Sequence, residues 1–232
     1  MSIKVILVDI NPKMIESWRT SFEENPEVDI VLGSMLDQKV DAWVTPTNSR
    51  GAMGGGLDAV IKRHLGAQVE QRVQAEIRRL YNGKMPVGTA TCVPSGGTNP
   101  RFLISTPTMV GGREDISDTL NVALACAAAF QAVHQQNARQ PGSVRSVALP
   151  GLGANTGRVP VEICADLMWT GYQLFRDREF GDYAAMRLAL EEQLGDLGPT
   201  QTKHPTKANA KSHGGPKPGK AKLHDVDFDD AE

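Results

Sequence analysis

Apolar and polar residues alternate along the chain in blocks of two kinds. Short, continuous apolar runs bounded by turn formers read as buried strands, and longer stretches with apolar residues three or four apart read as helices. The first strand is "IKVILVDI" (3–10), followed by "NPKMIESWRTSFEE" (11–24), where Met14, Ile15, Trp18 and Phe22 recur at helical spacing. "EVDIVLG" (27–33) and "VDAWVTP" (40–46) are the next strands, the second stopped by Pro46, which has no N–H for a ladder. Helices are predicted over 57–65 and 67–81, parted by Gly66. "GTATCVP" (88–94) and "RFLISTP" (101–107) flank a hairpin-like "SGGTN". An alanine-rich helix over 117–136 opens on serine and aspartate caps. A strand over 143–150, a helix over 160–177 opened by Pro160, and a last helix over about 182–194 complete the pattern. Strands alternating with helices imply an α/β domain, a mixed sheet with helices on both faces. Ligands of such sheets sit beyond the carboxyl ends of the strands, which directs attention to the loops after 46 and 150.

The pattern stops near residue 197. From 198 to 232 apolar residues almost vanish and Lys, Pro and Gly give way to an acidic end, so this segment is expected to be a disordered tail on a domain spanning 1–197. Six lysines between Lys203 and Lys222 offer a weak contact to nucleic acid or an acidic partner; a plainly solvated tail is the simpler reading. Over the whole chain of 232 residues, 25 basic and 27 acidic side chains nearly cancel, so no global field draws the protein to polyanions or anionic membranes. The N-terminal apolar run is too brief for a signal peptide and no membrane-spanning run occurs, so a cytoplasmic location is expected. Cys92, Cys126 and Cys164 are far apart and odd in number, which fits buried thiols in a reducing compartment. The five histidines form no close pair at ligand spacing, and neither a metal nor a cofactor is expected.

Candidate chemistry lies in two glycine-rich loops. "TPTNSRGAMGGGLDAVIKRHLG" (45–66) places Asn48, Ser49, Gly51 and Gly54–Gly56 ahead of Asp58 in the first turn of a helix. Asn48 can donate to and accept from a sugar hydroxyl, or simply bond its own backbone in a turn. Asp58 can act chemically, or only complement the helix dipole. Arg63 and His64 read as surface or packing residues. "PGLGANTGRVP" (150–160) lies between a strand and a helix start; Gly151, Gly153 and Gly157 let backbone N–H groups turn toward a phosphate, or merely allow a tight turn. It lacks the GK[ST] of a P-loop and the downstream acid of a dinucleotide fingerprint.

Together, "DAWVTPTNSRGAMGGGLDAVIKRHLG" and "SVALPGLGANTGRVP" resemble the two signatures of the macrodomain family of ADP-ribose-binding modules, and the similarity extends from residue 3 to about 177. The resemblance implies a three-layer α/β/α mixed sheet. It implies Asn48, with Ser49 beside it, at the distal ribose; Gly54, Gly55 and Gly56 against that ribose and the diphosphate; and Gly151, Leu152, Gly153, Ala154, Asn155, Thr156 and Gly157 wrapped around the diphosphate. In hydrolytic members an acid at the position of Asp58 helps orient or activate water attacking the anomeric carbon. The ligand is then ADP-ribose or an ADP-ribosylated substrate. The activity is hydrolysis at the distal ribose, either removal of mono-ADP-ribose or processing of the 1″-phosphate; the alternatives are a non-catalytic reader and a fold reused as an interaction subunit.

This chain departs from the family pattern in places. Ser34 stands where an adenine-recognising Asp is usual, with Asp9 or Asp37 as candidate substitutes. Ala154 and Asn155 replace Thr-Gly, Asn155 being a residue that tolerates a left-handed backbone. Arg158 replaces a small residue and is expected to point to solvent. Gly55 stands where the DNA-acting antitoxin members carry lysine. Tyr81, Tyr172 and Phe175 are expected in the core or at its rim rather than as an adenine platform.

Overall fold

A computed structural model describes residues 3–112, 114–177 and 179–196, so the tail expected over 198–232 lies outside the described residues. Six strands form one sheet: β1 (Lys4–Asp9), β2 (Val28–Leu32), β3 (Ala42–Asn48), β4 (Thr91–Pro94), β5 (Phe102–Met109) and β6 (Ser146–Leu149). Their order is β2-β1-β6-β3-β5-β4, all neighbours running parallel except β4, which is antiparallel to β5. The helices are α1 (Pro12–Ser21), α2 (Gly56–Leu65), α3 (Gln68–Tyr81), α4 (Asn121–Arg139), α5 (Val161–Asp177) and α6 (Tyr183–Asp196).

Side-chain alternation explains the layers. In β1, Val5 and Leu7 enter the cluster built with α1, α4, α5 and α6, whereas Ile6 and Val8 enter the cluster built with α2 and α3. Both faces of the strand are therefore covered, which is why its sequence is continuously apolar. The result is the expected three-layer α/β/α arrangement. Alanines let α4 lie close to α5: a Cβ on Gly171 would stand 2.9 Å from Ala123 O and 3.0 Å from Ala127 N. No helix among the described residues is long and apolar enough to cross a membrane.

Several boundaries differ from the sequence expectation. β3 does not stop at Pro46 but continues to Asn48. Its pairing with β6 ends at Trp43↔Ala148, so beyond that point one side of β3 lacks a strand neighbour and a missing N–H is tolerated. β4 begins only at Thr91, because Gly88 turns at φ +86° and the residues before the strand form a bend. α4 starts at Asn121 rather than at 117 and has no side-chain cap. The polar residues ahead of it fold back on themselves instead: Ser117 N and Oγ both donate to Asp115 Oδ1, at 3.1 and 2.6 Å.

Candidate functional site

Parallel pairing brings the carboxyl ends of β1, β2, β3, β5 and β6 to one edge of the sheet. β6 and β3 are adjacent through Ala42↔Val147 and Trp43↔Ala148, so the two glycine-rich loops leave neighbouring strand ends. Between β1 and β3 the order of the strands also reverses direction, which is where open α/β sheets form a crevice.

The loop after β3 is braced from below. Asn48 Oδ1 accepts from Arg50 N at 3.0 Å and Ala52 N at 3.4 Å, so the turn-forming reading of its carbonyl holds, while its Nδ2 makes no bond among the described residues. Ser49, expected at the ligand, is instead buried: its N–H and Oγ donate to Met109 O, and its carbonyl accepts from Met85 N at 2.7 Å. It anchors the loop to β5, with its side chain turned inward to Met109 O. Gly51, at φ +66°, permits close contact with α3, since a Cβ there would come within 2.6 Å of Ile77 Cδ1. Met53 is fully buried, and its N–H donates to Glu70 Oε1 at 2.7 Å; Glu70 Oε2 in turn takes Lys62 Nζ at 2.8 Å. One carboxylate thus ties loop, α2 and α3 together. Beyond Met53 the chain emerges: Gly54, Gly55 and Gly56 are exposed, and a Cβ on any of them would meet nothing within 4 Å. Gly55 caps α2 without a side chain, leaving first-turn N–H groups for an outside acceptor.

Asp58 lies in that first turn, half-buried, and accepts a hydrogen bond from Thr45 Oγ1 of β3. Burial raises its pKa to about 7; the Thr45 bond opposes the shift and the Glu70 charge adds to it. A carboxyl group that exchanges its proton near neutrality suits general acid or base chemistry. Arg63 and His64 are both exposed, and the His64 ring lies 5.6 Å from that of Trp43, outside this network.

The loop after β6 is packed against itself. Gly151 N donates to Asp9 Oδ2 at 3.2 Å, while Asp9 Oδ1 accepts from Asn11 N at 2.9 Å. Asp9 therefore works as a tie between β1 and this loop, with both oxygens engaged. Leu152, placed among the ligand residues by the sequence, is fully buried, and its carbonyl accepts from Cys164 Sγ at 3.0 Å; only the surrounding backbone can face a guest. Gly153, at φ +78°, lies against Ile116 and Val122, and Gly157 O accepts from Ile116 N at 3.0 Å. Asn155 and Thr156 form the exposed tip, with Ala154 half-buried beneath. The left-handed non-glycine position falls at Arg158, φ +59°, and not at Asn155. Arg158 is exposed, as expected, but pairs with Asp115 at 3.7 Å.

Ser34 follows β2, separated from β3 by β1 and β6. Its Oγ accepts from Leu36 N at 3.1 Å, capping a single 3-10 turn, Met35–Asp37. Asp37 is exposed at the end of that turn. Tyr172 is buried, Phe175 stacks on Phe130 with centroids 4.4 Å apart, and Tyr81 is half-buried, so none serves this edge. Thr45, Glu70 and Ile116 were not singled out by sequence. Thr45 alone carried a usable signal, since it lies two residues after Trp43 and so faces the same helical layer.

Comparison with known proteins agrees with this architecture. The Macro domain description matches residues 44–168. An uncharacterized protein of Aquifex aeolicus is 32% identical over 142 residues, 61% of this chain and 78% of that one. A macro domain-containing protein of Streptomyces nogalater is 28% identical over 137 residues, 58% and 70% of the two chains. Among solved structures, the macrodomain of Mycobacterium tuberculosis DarG superposes with a TM-score of 0.52 at 22% identity, covering 63% of this chain and 90% of its own. The Oceanobacillus iheyensis macrodomain with ADP gives 0.51 at 17% identity, covering 71% and 90%. With the family description spanning more than half of its length, the chain belongs to the Macro domain family.

Proposed function

We propose that this protein binds ADP-ribose or a close derivative between the loops after β3 and β6 and hydrolyses a bond at the anomeric carbon of the distal ribose. The observation that carries the reading is Asp58: a half-buried carboxyl with a pKa of about 7, held by Thr45 directly behind three exposed glycines. In the reaction, water adds to the anomeric carbon as the bond to the leaving group breaks, through an oxocarbenium-like state. The Asp58 carboxylate orients that water and accepts its proton, and its charge stabilises the developing cation. Backbone N–H groups of the second loop and the uncapped first turn of α2 are suited to the diphosphate.

The sign of the pH dependence follows from the base role. Turnover should rise as Asp58 ionises through about pH 7. Asp58→Ala should lower turnover of mono-ADP-ribosylated protein or of ADP-ribose 1″-phosphate by about a hundredfold or more. Its affinity for ADP-ribose by titration calorimetry should stay within a few-fold of the parent. Loss of binding with no turnover in either protein would support the reader instead. Absence of heat with ADP-ribose, AMP and adenosine alike would sink the nucleotide reading.

A further inference from the structure

The outer edge of the sheet, separated from β3 by β5, carries a cavity of about 220 Å³ beside β4, walled by α3, α4 and the start of α6. Tyr81 and Tyr183 reach it from separate helices and both donate to Ala90 O, at 3.3 and 3.0 Å. Those bonds hold the two rings as fixed walls, and Leu80 and Ala132 add apolar surface to the lining. Among the polar side chains of the lining, Thr91 Oγ1 is sealed from the open space, whereas Gln135 and Arg139 make no hydrogen bond or ion pair among the described residues. At the solvent end Arg139, in the last turn of α4, is exposed and makes no ion pair among the described residues. The nearby acid, Glu76, is already taken by Arg79 through bonds of 2.6 and 2.9 Å. Two guanidinium groups against one carboxylate leave the mouth positive, which favours an anion over a cation.

We propose that this cavity is a second ligand site, taking a flat aromatic carboxylate of roughly ten non-hydrogen atoms. The ring lies between the tyrosines and the carboxylate meets Arg139. Cys92 also lines the cavity and is half-buried, whereas Cys126 and Cys164 are fully buried, so its thiol reports on occupancy. Burial pushes that thiol up to about 12, so little thiolate is present and its slow alkylation is followed over hours with excess reagent at about pH 9.5.

The probes are 4-hydroxybenzoate, benzoate and 4-hydroxybenzyl alcohol, added to the full chain. The expected result is saturable protection of Cys92 from iodoacetamide by 4-hydroxybenzoate, with about tenfold weaker protection by the neutral alcohol. Arg139→Gln, a surface change, should weaken 4-hydroxybenzoate and benzoate alike by about tenfold. Unaltered Cys92 alkylation at saturating probe, or Arg139→Gln binding as tightly as the parent, overturns the proposal. The readout needs no ADP-ribose, so its failure and that of the proposed hydrolase are separately visible.

Discussion

The loops after β3 and β6 have similar composition but use glycine for opposite reasons. After β6, the glycines answer to the protein itself: a Cβ at Gly157 would lie 2.6 Å from Gly153 O and 2.7 Å from Ile116, and one at Gly151 would lie 3.0 Å from Asp9 Oδ2. After β3, Gly54, Gly55 and Gly56 face open space, and Gly54 has no left-handed backbone to justify it. One loop is a shaped, self-packed rim; in the other, which ends in a clearing, Gly51 and Gly56 answer to their left-handed backbone, at φ +66° and +54°, whereas Gly54 and Gly55 make sense in terms of what approaches from outside. The contrast teaches that a glycine-rich sequence reports the need for close approach without naming the approaching group.

The largest effect should come from Gly157→Val, which drives a branched side chain into backbone that cannot move aside. A loss of about 3 kcal/mol is expected, seen as a fall in Tm of roughly 5–10 °C. A Tm unchanged by this substitution would erase the distinction between the loops. Gly54→Val is the converse experiment: Tm should stay close to the parent while affinity for ADP-ribose, measured by calorimetry, drops by about tenfold or more. Full retention of affinity would mean that no guest touches the clearing. The smallest effect concerns Glu70→Gln. The amide oxygen can keep the Met53 N–H bond, but the negative charge that helps raise Asp58 is gone. Asp58 should then ionise at lower pH, and the rising limb of the pH–rate profile should move below about pH 7. An unmoved limb, with the fold intact, would detach Glu70 from the chemistry.

Linkage gives Asp58 a cost as well. Its folded pKa, about 7, lies above the ordinary 3.8, so its favourable contribution to folding is complete below that lower value and is lost as pH rises through 7. A group that weakens the fold at neutral pH is better explained by chemistry than by helix-dipole complementation, the competing reading of the same residue.

Much of the fold was legible because burial on both faces leaves continuous apolar runs, as in Val5–Val8, and helices betray themselves by spacing, as in Met14, Ile15 and Trp18. Legibility failed where a local signal had two physical uses. Ser117 and Asp118 looked like caps for α4, yet Ser117 turned back to Asp115 and the helix began at Asn121. Pro46 looked like a strand stop until the early end of β6 removed the neighbour that would have needed its N–H. Within the candidate site, Ser49 and Leu152 were placed correctly in their loops, but whether each side chain faces a guest or the core was not encoded nearby.

What the chain determined by itself is therefore local: the periods of its elements, the two glycine-rich loops, and an acid at the head of a helix. Tertiary structure decided everything that depends on distance across the chain. It set β6 beside β3, so that loops about a hundred residues apart leave adjacent strand ends. It buried Asp58 beside the Glu70 charge, against the opposing pull of the Thr45 bond, and so moved a surface-type carboxyl to neutrality. A pKa and a cleft are properties of surroundings, and surroundings are assembled only by folding.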